Sequence, residues 1–182
     1  MLDDVTPSRD ELEAARGRTI DDVLAPGLDV VFVGINPGLW SGATGHHFAR
    51  PGNRFWKALH GSGFTDRVLS PAEDVDLPTY GLGVTNLVGR TTARADELTP
   101  EELRDGAATL VDKLERVRPR ALAVLGIDAY RRAFNPKATL GRQEDRIGDA
   151  EVWVLPNPSG LNAHYQLDAL VALFTELRTS LG

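Results

Sequence analysis

Asn36 follows a short run of branched apolar residues, positions 28–33, that closes at Gly34; Ile35-Asn36-Pro37-Gly38 then turns the chain. Proline fixes its own φ and biases Asn36 away from helix, and Gly38 opens a φ closed to side chains. A carboxamide is thereby held at the carboxyl end of a strand, where open α/β sheets place their ligands. After it come Gly42, Gly45, His46, His47 and Phe48, then Arg50, Pro51, Gly52, Asn53, Arg54, Phe55, Trp56 and Lys57. Small residues, polar heads and aromatics in that mixture suit a pocket that stacks a flat ring. Adjacent histidines do not easily aim at one ion, and neither a cysteine nor a third clustered histidine supports them, so no metal is expected.

Four apolar runs have the length and composition of strands, at positions 28–33, 84–88, 120–125 and 151–155. Helical patterns alternate with them. Pro51 opens one with Phe55, Trp56 and Leu59 at core spacing. Thr99-Pro100-Glu101-Glu102 is an N-cap, an N1 proline and a capping-box glutamate. It starts a helix whose stripe is Leu103, Ala107, Leu110, Val111 and Leu114. Positions 128–134 and the stripe from Leu167 to Leu181 give two more, and Ser8-Arg9-Asp10-Glu11 caps a short peripheral one. Positions 70–81 lack periodicity and are read as a loop with at most a turn of helix, 135–148 as a solvated loop, and Arg90-Thr91-Thr92-Ala93-Arg94 as a polar loop near Asn36. Strands alternating with helices predict parallel βαβ units. The expected fold is α/β, a three-layer α/β/α sandwich around a central, mainly parallel four-stranded sheet. One domain spans 1–182, with 1–27 a peripheral N-terminal segment.

The chain has 182 residues, of which 42% are hydrophobic and 25% charged, with no apolar run long enough to span a membrane. The acidic start MLDDVTPSRDELEAARG has no apolar leader core, so a cytoplasmic protein is expected. Zero cysteines remove disulfides, thiol catalysis and iron–sulfur ligation together. A net charge of -6 argues against nonspecific coating of nucleic acid, which depends on phosphate neutralisation. The bases nevertheless gather beside Asn36: Arg50, Arg54, Lys57 and Arg67 face only Asp66 between positions 35 and 67.

Three ordered segments carry a resemblance. Gly34-Ile35-Asn36-Pro37-Gly38 with Gly45-His46-His47-Phe48 and Pro51-Gly52-Asn53-Arg54-Phe55-Trp56-Lys57 is the first. Gly83-Val84-Thr85-Asn86-Leu87-Val88-Gly89-Arg90-Thr91-Thr92 is the second, and Leu155-Pro156-Asn157-Pro158-Ser159-Gly160-Leu161 the third. Together they resemble the mismatch-specific uracil-DNA glycosylase and thymine-DNA glycosylase family, over roughly positions 28–174. The resemblance implies hydrolysis of an N-glycosidic bond after the nucleotide is flipped out of duplex DNA carrying G·U or related mismatches. It implies a monomer without cofactor, metal or iron–sulfur cluster.

Residue by residue, it carries Asn36 over as the group that orients the attacking water, with Thr92 also holding that water. An amide does not accept a proton near neutral pH, so its part would be positioning. Phe48 matches the aromatic that stacks on the flipped base, and Ile35 a backbone contact to its carbonyl edge. Asn86 and His47 follow the thymine-enzyme pattern on the substrate side, Asn86 contacting the pyrimidine. Gly160, Leu161 and Asn162 match the segment whose leucine wedges into the vacated stack, with Ser159 beside it, and Asn162 would read the orphaned guanine. Arg54 and Lys57 are assigned to the DNA face, a structural role being the alternative for Asn53 and Arg54.

Two other classes remain open. A noncatalytic nucleic-acid-binding module would be marked by loss of Asn36, Phe48 or Asn86, and all three are present. A nucleotide-binding α/β protein is supported only by the glycine-rich loop after the first strand. Its spacing fits neither G-x-G-x-x-G nor a phosphate loop with its lysine.

Overall fold

Period-two alternation in the strands decides which side chains go to which side of the sheet. Val31, Val33, Leu122, Val124, Val152 and Val154 face one way, and Val30, Phe32, Leu82, Val84, Ala123 and Leu155 the other. Both sets are buried, so the sheet needs helices on both faces. The computed structural model, which describes residues 6–182, supplies them. Its helices are α1 (Arg9–Ala14), α2 (Leu39–Thr44), α3 (Phe55–Gly61), α4 (Pro100–Val117), α5 (Ile127–Ala133) and α6 (Leu167–Ser180). α4 and α5 cover the first face through Leu103, Leu110, Leu114 and Tyr130. α3 and α6 cover the second through Phe55, Leu59, Leu170 and Phe174.

The strands are β1 (Val30–Gly34), β2 (Leu82–Asn86), β3 (Ala121–Leu125), β4 (Gly141–Ile147) and β5 (Ala150–Leu155), in the order β2-β1-β3-β5-β4. β1, β2, β3 and β5 are parallel, and β4 returns antiparallel on β5. The three-layer α/β/α sandwich is as expected, but its sheet has five strands rather than four. Gly141–Ile147 reads GRQEDRI, and such charges on a strand protect an exposed edge from pairing with other chains. That composition is why the segment reads as a solvated loop. The expected loop at 70–81 is instead a 3₁₀ helix, Pro71–Tyr80, opened by a capping box from Ser70 and Glu73.

Two boundaries also move. α3 begins at Phe55, because Asn53 Oδ1 accepts from the Phe55 N–H at 3.0 Å and Pro51 and Gly52 form a turn before it. β2 ends at Asn86, yet its hydrogen bonding continues: the Leu87 N–H donates to Gly34 O at 2.8 Å and the Val88 N–H to Ile35 O at 2.9 Å.

The N-terminal segment is more than peripheral. Val23 forms an antiparallel bridge with Val84 on the open edge of β2. Gly17 and Arg18 exchange backbone hydrogen bonds with Thr91. Lys113 Nζ joins Asp22 Oδ2 at 2.8 Å and donates to Thr85 Oγ1 at 3.0 Å, while Thr85 donates to Asp22 Oδ1 at 2.6 Å.

α4 seats against the end of β2 at Gly106, where an added Cβ would lie 2.1 Å from Leu87 O. Glycine to alanine inside a helix ordinarily stabilises by about 1 kcal/mol. Here the contact is backbone and cannot rotate away, so Gly106→Ala is expected to destabilise by roughly 1–3 kcal/mol and lower Tm by several degrees. A thermal melt checks this; a raised Tm would mean that α4 is not seated on Leu87.

Candidate active site

The carboxyl ends of the parallel strands open into a cleft of about 1040 Å³. β1 leads to β2 on one side and the chain then crosses to β3 on the other, the reversal at which open α/β sheets form a crevice. Gly34, Ile35, Asn36, His47, Phe48, Asn86, Thr92, Ser159, Gly160, Leu161 and Asn162 all line the cleft, so the three sequence segments converge there. Arg54 lies behind the third segment, and Lys57 is exposed on α3.

Asn36 is held through its amide nitrogen. Its Nδ2 donates to Arg90 O at 2.8 Å and to Thr92 Oγ1 at 2.8 Å. Both N–H groups are used, so the amide orientation follows from the network, and Oδ1 is left as an acceptor at the cleft. Thr92 donates in turn to Arg94 O at 2.8 Å. Its hydroxyl hydrogen is therefore committed to the protein, and its clearest contribution is to hold Asn36. The loop that carries these partners is fixed from α4. Arg90 makes a two-pronged pair with Glu102, at 2.9 and 3.2 Å. The Arg90 hydrogen bond, followed by the Thr99 backbone N–H, holds the Glu102 carboxyl down at about 2.

Gly38, expected to take a φ closed to side chains, lies at φ -80° as the N-cap of α2. The chain enters a helix directly after Pro37, so no left-handed residue is needed there. That conformation falls instead on Phe48, at φ 51°. A bulky residue held there stores strain, which is characteristic of binding sites. Trp56 Nε1 donates to Phe48 O at 3.3 Å, and the Phe48 ring packs on Phe55 with centroids 4.0 Å apart. Beside the ring, Gly34 leaves room for the Asn86 amide: an added Cβ would stand 2.6 Å from Asn86 Oδ1 and 3.5 Å from the ring. The Ile35 carbonyl accepts from the Val88 N–H, a bond that does not occupy the Ile35 N–H, the only backbone group of that residue able to donate to a carbonyl edge.

The paired histidines are tied to the protein. His47 is 2% exposed. Its backbone N–H donates to Asp74 Oδ2 at 2.9 Å, and His46 Nδ1 lies 3.1 Å from Asp74 Oδ1. His47 Nε2 donates to Asp21 O at 2.8 Å, which leaves Nδ1 as the acceptor facing Asn86 Nδ2 at 3.5 Å. The backbone bond from the N-terminal segment thus sets the tautomer, and the tautomer turns Asn86 Oδ1 toward Gly34 and the Phe48 ring. Among the described residues there is no group of three or more His, Cys, Asp or Glu arranged to hold a metal ion.

The third segment is a self-bonded turn. Asn157 Oδ1 accepts from the Ser159 N–H, and Ser159 Oγ from the Leu161 N–H. Asn162 Nδ2 donates to Asn157 O, and its Oδ1 accepts from the His164 N–H. The Asn162 amide, expected to read guanine, is therefore engaged inside the loop. Leu161 projects from the turn, 65% exposed. Arg54, expected on the DNA face, has its guanidinium on carbonyls of residues 158–165. Neither that clamp nor the part played by Asp21 and Asp74 was visible in the sequence, because each joins residues far apart in the chain.

The α/β fold thus gathers an aromatic ring, a histidine and two carboxamides in one cleft at the carboxyl ends of its parallel strands. The chain belongs to the Uracil DNA glycosylase superfamily, whose model matches residues 22–178, and it is accordingly a DNA-repair glycosylase. It is also similar to the solution NMR structure of a candidate uracil DNA glycosylase from Methanosarcina acetivorans. The TM-score is 0.60 at 22% identity, with 89% of this chain and 98% of that chain covered, a likeness of fold.

Burial holds the His47 pKa below its ordinary value of 6.5, against smaller opposing contributions from the Asp21 hydrogen bond and Asp74. A histidine kept neutral in the fold is protonated more readily in the unfolded chain. Its contribution is therefore intact above about pH 6.5 and is lost as pH falls below that value toward the depressed folded pKa. Wild-type stability is expected to fall on acidification by up to about 1.4 kcal/mol per pH unit more than that of His47→Gln. Urea melts between about pH 5 and 7.5 read this directly; parallel curves would refute it.

Proposed function

We infer that the protein excises uracil from G·U-mismatched duplex DNA by flipping the nucleotide into the cleft and hydrolysing its N-glycosidic bond. The observation that carries this reading is the Asn36 amide, held by Arg90 O and Thr92 Oγ1 with Oδ1 free beside the Phe48–Asn86 slot. A base stacked on Phe48 meets the Asn86 carboxamide, whose Oδ1 can accept from the N3–H of uracil. A water donating to Asn36 Oδ1 is aimed at C1′. The C1′–N1 bond breaks with its electron pair going to N1, and the water oxygen bonds the cationic sugar carbon. The water's spare proton passes to solvent, and the uracil anion takes one back. Asn36 moves no proton; it shortens the search for the attacking geometry. Without a general base the chemical step is slow.

Leu161 supplies the other half of the reading. An apolar side chain exposed on a rigid turn at the rim of the cleft has the placement of a wedge that fills the gap left by the flipped nucleotide. The carbonyls of Gly160 and Leu161 accept no hydrogen bond among the described residues, and they suit the N1–H and N2–H₂ donors of an orphaned guanine.

Asn36→Ala is expected to lower single-turnover release of uracil from a G·U duplex by at least about a hundredfold, with duplex binding retained. Matched duplexes carrying U opposite G, U opposite A and T opposite G, with a single-stranded uracil control and a chelator throughout, would be scored for abasic sites. No release from any of them overturns the proposed activity, and equal loss of binding and rate in the variant overturns the role of Asn36.

Leu161→Ala separates a wedge from a core residue. Core truncation of leucine costs roughly 2–5 kcal/mol. An unchanged melting curve is expected instead, with release falling more on duplex than on single strands. A large drop in Tm, or equal losses on both substrates, would remove the wedge.

A further inference from the structure

We propose that Arg54 is the positioning residue for the wedge: its guanidinium clamps the turn around Leu161 through backbone carbonyls. This rests on the reading of Leu161 as the group that fills the vacated stack. Nη2 donates to Ser159 O at 2.7 Å and to Asn162 O at 3.0 Å, Nη1 donates to Tyr165 O, and Nε lies 3.4 Å from Pro158 O. The Arg54 backbone N–H also donates to Pro158 O, at 3.0 Å. Among the described residues, every hydrogen bond that leaves residues 158–165 for a distant part of the chain comes from Arg54; the rest are local.

The geometry requires arginine. Guanidinium has five N–H donors in a fixed planar fork and stays charged at any relevant pH. Lysine has three donors on one atom and cannot span carbonyls at positions 158, 159, 162 and 165. No carboxylate of the described residues pairs with Arg54, so its protein partners are backbone carbonyl oxygens, each bond being charge-assisted. The turn also has no room to shift toward its support, because a Cβ on Gly160 would stand 2.8 Å from Gly52 O.

A wedge on a loose turn must be ordered when DNA binds, whereas a clamped one has that ordering built in. The clamp should therefore act on duplex substrate through Leu161. A phosphate contact would act differently, adding about 0.9 to the slope of log affinity against log salt.

Arg54→Lys keeps the charge and most of the stem and is the first variant to test; Arg54→Ala with added guanidinium ion is the second. Uracil release is compared on G·U duplex and on single strands over a salt series, and hydrogen exchange is followed at the amides of Leu161 and Asn162. The expected result is faster exchange confined to the turn and a loss of about tenfold or more on duplex with little change on single strands. The salt slope should be unaltered, and guanidinium should partly rescue Arg54→Ala. In a Leu161→Ala background, Arg54→Lys should cost nothing further. A salt slope reduced by about one, equal losses on both substrates, or additive effects of the two changes would each overturn the proposal. The exchange measurement needs no substrate, so a clamp without uracil release would retire the functional reading while leaving the loop assignment standing.

Discussion

The site depends on a hydrogen-bond ladder that runs past the end of its strand. β1 and β2 pair in parallel up to Gly34 and Asn86, and Leu87 and Val88 continue to donate to Gly34 O and Ile35 O. That extension delivers the 90–92 loop to Asn36. A backbone carbonyl and a hydroxyl then determine which way a symmetric-looking amide points, with Thr92 held by Arg94 O and Arg90 by Glu102. The water-positioning role proposed for Asn36 would need little chemistry but much immobility, and both donors of the side chain are committed to the protein.

The same economy recurs on the substrate side. His47 presents a lone pair to Asn86 because its other nitrogen is bonded to Asp21 O, and Phe48 holds a left-handed backbone because Trp56 and Phe55 grip it from behind. Conformations that cost free energy locally persist where several neighbours determine them at once.

Much of this was legible in the sequence because it was local. Branched apolar runs gave β1, β3 and β5, the box at Thr99 gave the start of α4, and the three polar segments at strand ends gave the cleft. Local composition misled where tertiary context dominates. β4 is a charged edge whose apolar demand is small, so GRQEDRI resembles a loop. The sequence assigns both Arg54 and Lys57 to a DNA face, with a structural role as the alternative for Arg54, and it is that alternative which its bonds to carbonyls more than a hundred positions away fit. Asn162 likewise is expected to read guanine from its place beside Leu161, while its amide holds its own turn. Hydrogen-bond partners at long separation leave no periodicity to read.

The sheet has two open edges, and the chain treats them differently. β4 is guarded by its own charges, but β2, with the sequence LGVTN, carries none and is covered instead by the bridge from Val23 and the ionic tie of Asp22 to Lys113. An uncovered edge of that kind is a template for another strand. The segment that sets the His47 tautomer is therefore also the one that occupies this edge, so the orientation of the Asn86 amide and the cover of β2 rest on the same few residues.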